Sequence, residues 1–585
     1  MYNNFRSAIK IGGESGQGIN SVGKALAYTL KYSGFYTFGY REYPSIIEGG
    51  FASYQVDFSG VPINSSSKNI DLAICISRAA IHKMLPELNR NGVLIHSVIR
   101  FSLNKEEALL IQKNNIKVFY IDVFTIIKAI NANRLVQNTI LLGAAIKLLK
   151  VDIEFAQKAL GKVLNVDKKV LDLNFTALQA GYEFEIDAEV IDLPASATKE
   201  NPKDDFLMLG NNAIALGAVK AGVRAYYSYP MTPTSSILEF LADLEIETGM
   251  VVKQAEDEIT AVQMALGTMH MGSRALVATS GGGFDLMTES LSMAAITEIP
   301  LVIVLGQRPG PATGLPTWTA TGDLNLAVYS GHGEFVRCVV AISDIESAYY
   351  LIQKAFNIAE TFQIPVIVLT DKQVNESMFQ GNKFTAEIVI ERGLINDSKT
   401  SERYQLTKSG ISPRWLPGSS EKTFIANSDE HFFNGRLTED ETEVQLMVEK
   451  RMKKETGLLK VIPDPQLFGK RSGDVLLVSW GSPKNTILDF LNLVKGDSKL
   501  DFTYLHYEYL FPLKTELFEK LVKNFKRVVL IENNYFGQLG QLIKKETGYN
   551  FKEKVLKYNG RPFFLEDLLD YFNYGRTMER PKILK

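Results

Sequence analysis

The sequence predicts an α/β protein built from several doubly wound parallel-sheet domains. Three observations carry that prediction. Apolar runs of strand length alternate with helical stretches along most of the chain. Several strand-to-helix junctions are glycine turns, among them Gly12–Gly18 and Gly281–Gly283. The chain has 585 residues, 45% hydrophobic and 22% charged, an ordinary globular balance that at ~150 residues per domain allows about three or four domains.

The elements follow in order. Ser7–Ile11 reads as a strand entering GGESGQG, and Val22, Ala25, Leu26 and Leu30 then recur at helical spacing. Leu72–Ile76, Val93–Ile95 and Val118–Ile121 are further strand-like runs, so residues 1–195 form a first domain around a parallel sheet. Between its strands, Gly39–Val56 reads as a polar-aromatic loop in which Arg41, Glu42 and Glu48 line an interface. The polar stretch Leu193–Asp205 holds two prolines and is a linker, 196–205 between the domains. Residues 206–395 are a second α/β domain, with short runs at Ala225–Ser228, Leu276–Thr279, Leu301–Leu305 and Pro365–Leu369. Residues 396–470 are a charged connection ending in a helix near Glu441–Lys454. Residues 471–585 resume the alternation with Val475–Ser479, Phe502–His506 and Arg527–Glu532.

Composition excludes several functions. The formal charge is −2, without the basic excess of a nucleic-acid platform. Cys75 and Cys338 are the two cysteines, so neither a disulfide framework nor a Cys₄ zinc or iron–sulfur site comes from this chain alone. Six scattered histidines offer no His-rich metal site. No apolar run reaches the ~18 residues of a membrane span. The start, MYNNFRSAIKIGG, lacks a signal-peptide pattern, so the expected location is cytoplasmic.

Five segments carry chemistry-bearing residues. GGESGQG places glycines where backbone N–H groups could meet a phosphate or carboxylate at a helix start, but the spacing is not G-x-G-x-x-G and no Walker lysine follows. A tight turn with close strand–helix packing explains it better. In Tyr229-Pro230-Met231-Thr232-Pro233-Thr234-Ser235-Ser236, two prolines stiffen a hydroxyl-rich turn, and Thr234 or Ser235 caps the helix Ile237–Leu244. At ~100° per residue, Glu258 aligns with Val262, Ala265 and Met269, so a carboxylate heads an apolar stripe in the first helical turn while Glu256 points away. Thr279–Glu289 opens on Gly281–Gly283, which admit close approach to the backbone. Gln307-Arg308-Pro-Gly-Pro-Ala-Thr313-Gly-Leu-Pro-Thr317 leaves the carboxyl end of Leu301–Leu305, where open α/β sheets bind ligands and where an arginine can hold a carboxylate bidentately. Gly496-Asp-Ser and Asn533-Asn534 do not make a diphosphate–Mg²⁺ motif: a second glycine is missing and the spacing is too long.

Tyr229–Ser236, Glu256–Gly267 and Gln307–Thr317, with ISPRWLPG and Phe511-Pro512, resemble the α subunit of the 2-oxoacid:ferredoxin oxidoreductases, the 2-oxoglutarate type most of all. Residues 1–195 resemble the γ subunit of the same enzymes, fused in front. The resemblance implies a γ-like domain, a pyrimidine-binding domain for thiamine diphosphate (ThDP) and a transketolase-C-terminal-like domain. It implies ThDP shared at an interface with a β subunit that carries Mg²⁺ and a [4Fe–4S] cluster, with coenzyme A as co-substrate and ferredoxin as electron acceptor. Two αβ units, α2β2, are expected, with no nucleic acid and no membrane as partner. Glu258 then meets N1′ of the aminopyrimidine, with Tyr229 and Pro230 beside the cofactor. Arg308 holds the 2-oxoacid carboxylate, with Thr232, Thr313 and Thr317 near the substrate. Met231 stands where isoleucine is usual, a nearly volume-conserving exchange. The alternatives are pyruvate or a broad 2-oxoacid range as substrate, and a non-catalytic nucleotide- or CoA-binding α/β protein.

Overall fold

The computed structural model describes residues 5–46, 49–99, 101–186, 205–396, 402–418, 423–496 and 499–574. The expected linker, apart from Asp205, lies outside the described residues, as do Glu48 and the Asp-Ser of Gly496-Asp-Ser.

Three sheets organise the chain. The first has eight strands. Lys117–Tyr120, Leu88–His96, Ile70–Cys75 and Arg6–Ser15 run parallel. Gly49–Ser59, Tyr36–Glu42, Met378–Gly381 and Phe206–Leu209 then add on antiparallel. The purely parallel sheet expected here is therefore mixed, and Gly39–Val56 is most of a strand pair rather than a loop. Tyr54 needs glycine on two sides, one of them inside the pair: a Cβ at Gly39 would lie 2.6 Å from its hydroxyl, and one at Gly23, on the preceding helix, would lie 2.2 Å from its ring. Arg41 does face an interface, inside the chain: its guanidinium lies 3.1 Å from Glu376, while Glu42 pairs with Lys10 at 3.0 Å.

The second sheet has seven strands. Six are parallel, in the order Cys338–Ala341, Pro365–Asp371, Leu301–Gln307, Arg274–Ser280, Val223–Ser228 and Val251–Gln254. Its central strand, LVIVLGQ, is buried at every position, as helices on both faces require. Tyr509–Phe511 from the last domain closes its edge antiparallel. The third sheet is five-stranded: Phe502–Tyr507, Gly473–Trp480, Phe525–Glu532 and Glu553–Leu556 are parallel, and Gln466–Phe468 is antiparallel at the edge. Strands thus cross the boundaries expected from sequence at 206, 395 and 471. One continuous apolar core joins the second sheet to the third, from Leu301 and Ile303 to Leu476 and Leu505.

The charged connection contributes buried ion pairs. Its helix Glu441–Met452 and the following Lys454–Val461 bring Lys450 and Lys454 onto buried Glu298, with Lys454 Nζ 2.6 Å away. A second buried carboxylate, Glu360, takes Arg274 at 2.8 Å, Arg414 at 2.7 Å and Arg392 at 2.9 Å. Burial works against ionisation of Glu298, but Lys450 and Lys454 hold it well below the usual carboxylate range. Its stabilisation is present above the ordinary carboxylate pKa and is lost only as pH falls through that depressed value. Glu298→Gln leaves two buried ammonium groups without a counter-ion. It is expected to destabilise the chain by about 3–5 kcal/mol, measured by denaturant unfolding.

Candidate active site

In the second sheet, the carboxyl ends of the parallel strands bring four sequence segments to one edge. Tyr229–Ser236 follows Val223–Ser228, Glu258 follows Val251–Gln254, Gly281–Gly283 follows Arg274–Ser280, and Arg308 follows Leu301–Gln307.

Glu258 is the first residue of helix Glu258–His270. Asp257 caps that helix by accepting from Thr260 N–H at 2.7 Å, so the Glu258 side chain is not used as a cap. The buried residues of the helix are Glu258, Ala261, Val262, Ala265, Leu266 and Met269, the stripe the spacing predicts, and Glu256 is exposed. Glu258 is 4% exposed, and its Oε1 has no hydrogen-bond partner among the described residues. The hydroxyls of Thr279 and Ser280 are likewise buried and unpartnered. A Cβ at Gly283 would lie 2.5 Å from Glu258 Oε1 and 2.1 Å from Thr279 Oγ1. What approaches this glycine turn closely is therefore the protein's own carboxylate and hydroxyl. Each unsatisfied buried group costs about 1–3 kcal/mol, and here they converge, as a site shaped for a polar ligand would have them.

The proline-rich turn is held from behind. Asn211 Nδ2 donates to Pro233 O and to Ser236 Oγ, both at 2.7 Å. Thr234 occupies the N-cap of helix Ser235–Asp243, but its hydroxyl donates back to Met231 O at 2.9 Å instead of capping, correcting the expected role. The Thr232–Pro233 peptide is cis. Arg308, half-buried, donates from Nη1 to Thr232 O at 2.9 Å, which joins two of the predicted segments. Asp323, not singled out from sequence, lies beside them: a Cβ at Gly281 would be 3.0 Å from its Oδ2, and its N–H donates to Gln307 Oε1 at 3.0 Å. Burial, then the neighbouring Asp285, push the Asp323 carboxyl up to about 6 against the pull of Arg308. Glycines at 281 and 283, inside a helical turn that does not need them for its backbone, were the available sign that something packs close here.

Tyr229 and Pro230 stand at the rim, Tyr229 being 39% exposed. Thr313 is exposed on the loop beyond Arg308, and Thr317 is buried at its far end. A tight turn that contains Thr313 stands between Arg308 and Thr317: Leu315 N–H donates to Pro309 O at 2.9 Å, and Gly314 has φ +53° with no room for a Cβ. GGESGQG lies elsewhere. Gly16 and Gly18 have positive φ, and the turn borders a 250 Å³ cavity lined by Glu14, Ser15, Asn20, Arg41 and Tyr43, among others.

Residues 216–452 match the family described as "Pyruvate flavodoxin/ferredoxin oxidoreductase, thiamine diP-bdg", and residues 8–184 match "Pyruvate ferredoxin/flavodoxin oxidoreductase". A 2-oxoacid:ferredoxin oxidoreductase subunit alpha from a Sulfolobus species is 31% identical over 95% of this chain and 95% of its own length. A 2-oxoglutarate synthase subunit KorA from Archaeoglobus fulgidus is 44% identical over 168 residues, which are 29% of this chain and 49% of that relative. The solved 2-oxoglutarate:ferredoxin oxidoreductase from Magnetococcus marinus, with 2-oxoglutarate, coenzyme A and succinyl-CoA bound, is similar at TM-score 0.88 and 26% identity, covering 98% of this chain and 100% of that one.

Proposed function

Because the chain belongs to the 2-oxoacid:ferredoxin oxidoreductase α subunits, with a γ-subunit-like part in front, we propose that it acts with a β subunit to convert 2-oxoglutarate and CoA to acyl-CoA, CO₂ and reduced ferredoxin, or the reverse. The family fixes the class, an oxidoreductase acting on 2-oxoacids with a thiamine-diphosphate-binding domain. The observation that carries the finer reading is the buried, unpartnered Oε1 of Glu258 above Gly283, on the same sheet edge as Arg308.

That donor set fits an aminopyrimidine: a carboxylate oxygen awaits a donor, and the unpartnered Thr279 hydroxyl meets it at the Gly283 turn. Bound ThDP supplies the nucleophilic carbon and the electron sink for loss of CO₂. Glu258 holds a proton between its Oε1 and the ring nitrogen, a charge-assisted contact strengthened by burial. Arg308 binds the C1 carboxylate of the 2-oxoacid through its planar fork, and the Thr232 carbonyl fixes the orientation of that fork. Tyr229, Pro230, Thr232, Thr313 and Thr317 belong to the same reading, as the rim and loop around cofactor and substrate.

The open side of the site supports a β partner. Tyr229, Ile259 and Leu286 are large apolar residues left exposed around it, the kind of patch that a partner covers. Mg²⁺ and the [4Fe–4S] cluster are assigned to that partner. Cys75 and Cys338 are buried, with their thiols pushed up by burial, Cys338 to about 12. Among the described residues no His/Cys/Asp/Glu group could hold a metal. No helix of the described residues is long and apolar enough to cross a membrane; the proposed location is cytoplasmic and the proposed assembly α2β2. Preference for 2-oxoglutarate is supported by what the Archaeoglobus and Magnetococcus proteins are named for. The Sulfolobus relative's broader name keeps a wide 2-oxoacid range as the second reading.

The test is 2-oxoacid-dependent viologen reduction, with CoA and ThDP, by this chain co-expressed with its β partner. Activity is expected only with both chains, with kcat/KM for 2-oxoglutarate at least about tenfold above that for pyruvate. Equal ratios would establish the broad-range reading. A cofactor-loaded complex silent with both acids would sink the substrate assignment.

A further inference from the structure

The segment after Arg308 takes much of its backbone hydrogen bonding from another domain, besides the ties of Thr319 to Asp371 and of Asp323 to Gln307 in its own. Thr321 donates its N–H to Asn533 O at 2.8 Å and accepts at its carbonyl from Asn534 Nδ2 at 3.1 Å. Gln538 Nε2 donates to Gly322 O at 2.6 Å, and Gln538 Oε1 accepts from Asn325 N–H at 3.0 Å. Thr319 N–H donates to Gly560 O at 3.3 Å. Asn533, Asn534, Gln538 and Gly560 all come from the third sheet's domain, from the loops at the carboxyl ends of Phe525–Glu532 and Glu553–Leu556.

The holding groups are themselves braced. Asn534 Oδ1 accepts from Gly537 N–H at 2.7 Å, and its Nδ2 also donates to Glu532 Oε2 at 2.8 Å. Glu532, fully buried, further accepts from Trp480 Nε1 at 2.9 Å and from the N–H groups of Leu539 and Gly540 at 3.2 and 3.1 Å. Asn534 is 4% exposed and Gln538 7%. Between the two residues that Gln538 holds, Asp323 N–H is tied to Gln307, the neighbour of Arg308. A rigid chain of contacts therefore runs from the core of the last domain to the start of the loop that bears Arg308.

We infer that Asn534 and Gln538 are positioning residues for the substrate loop, so that the last domain sets the affinity of the site for the 2-oxoacid without touching it. This rests on Arg308 being the carboxylate-binding residue. The Asn-Asn pair, which fails as a diphosphate motif in the sequence, instead holds the two backbone polar groups of Thr321. Misplacing a binding group by about 1 Å weakens orientation-dependent steps by up to ~10²-fold. Loosening one end of a loop still anchored at Thr232 is a smaller displacement.

The test uses Gln538→Met and Asn534→Ala in the reconstituted complex, with Arg308→Lys beside them. Gln538→Met keeps length and loses both loop contacts. It is expected to raise KM for the 2-oxoacid about tenfold with kcat and ThDP affinity nearly unchanged. Gln538→Glu, which keeps the acceptor for Asn325, should recover part of that. Hydrogen exchange in the full chain should quicken across 319–325 in both single variants and stay unaltered across 301–307. An unchanged KM in the Asn534 and Gln538 variants, with a raised KM in Arg308→Lys, overturns the inference. If Arg308→Lys also leaves KM unchanged, the role of Arg308 falls. Exchange then decides alone: quickening at 319–325 supports the positioning contacts, and no change overturns them.

Discussion

Glu258→Gln is expected to reduce 2-oxoacid decarboxylation by the assembled complex about 10²–10⁴-fold, the usual range for losing a positioned acid–base group. The amide has nearly the same shape, so the apolar stripe of Ala261, Val262 and Ala265 packs as before and assembly should persist. What is lost is the carboxyl Oε1, which has no hydrogen-bond partner among the described residues. The change should leave thermal stability nearly unchanged, because Oε1 makes no hydrogen bond among the described residues that the amide would break. CO₂ release and ThDP affinity, measured on the same preparation, separate chemistry from binding. Turnover close to that of the parent enzyme would remove Glu258 from the mechanism.

Gly283→Ala is the second large expectation, and it opposes a simple rule. Inside a helix, Gly to Ala normally stabilises by about 1 kcal/mol. Here the new methyl would meet Thr279 Oγ1 at 2.1 Å, Glu258 Oε1 at 2.5 Å and Glu258 Cγ at 2.8 Å. Helix propensity cannot offset contacts of that kind, so the carboxylate must move out of its slot. Decarboxylation should fall by about 10²-fold. Gly282→Ala provides the control: nothing lies within 4 Å of its Cβ position, and activity should be retained with unfolding unchanged or slightly later. Equal activity in the two variants would show that the slot at Gly283 is not where the carboxylate works.

How much of this was legible before folding depended on whether neighbours in space were neighbours in sequence. The parallel strands were legible because full burial makes LVIVLGQ apolar throughout. Glu258 was legible because its stripe lies on one helix, and Arg308 because it sits just past a strand end. Asp323 and Thr279 were not, since what marks them is proximity to Gly281 and Gly283, and the triplet shows only that something comes close. The strand pair within 36–59 was masked in part by Gly39, which accommodates the Tyr54 hydroxyl. The residues of 396–470 read only as charged, and their counter-charges, Glu298 and Glu360, lie far away along the chain. Sequence shows charge; burial of charge depends on a partner that only the fold supplies.

The first sheet is completed from a distance. Strand Tyr36–Glu42 has Met378–Gly381 as its outer neighbour, so during translation that edge waits until residue 381 has emerged. At roughly 5–20 residues per second, the interval from residue 42 is of order 20–70 s. Throughout it the nascent chain presents an unpaired edge, Tyr-Thr-Phe-Gly-Tyr-Arg-Glu, with Arg41 and Glu42 as its charged gatekeepers. Yield in a heterologous host should therefore respond to elongation rate and to ribosome-associated chaperones more than to the stability of the finished protein.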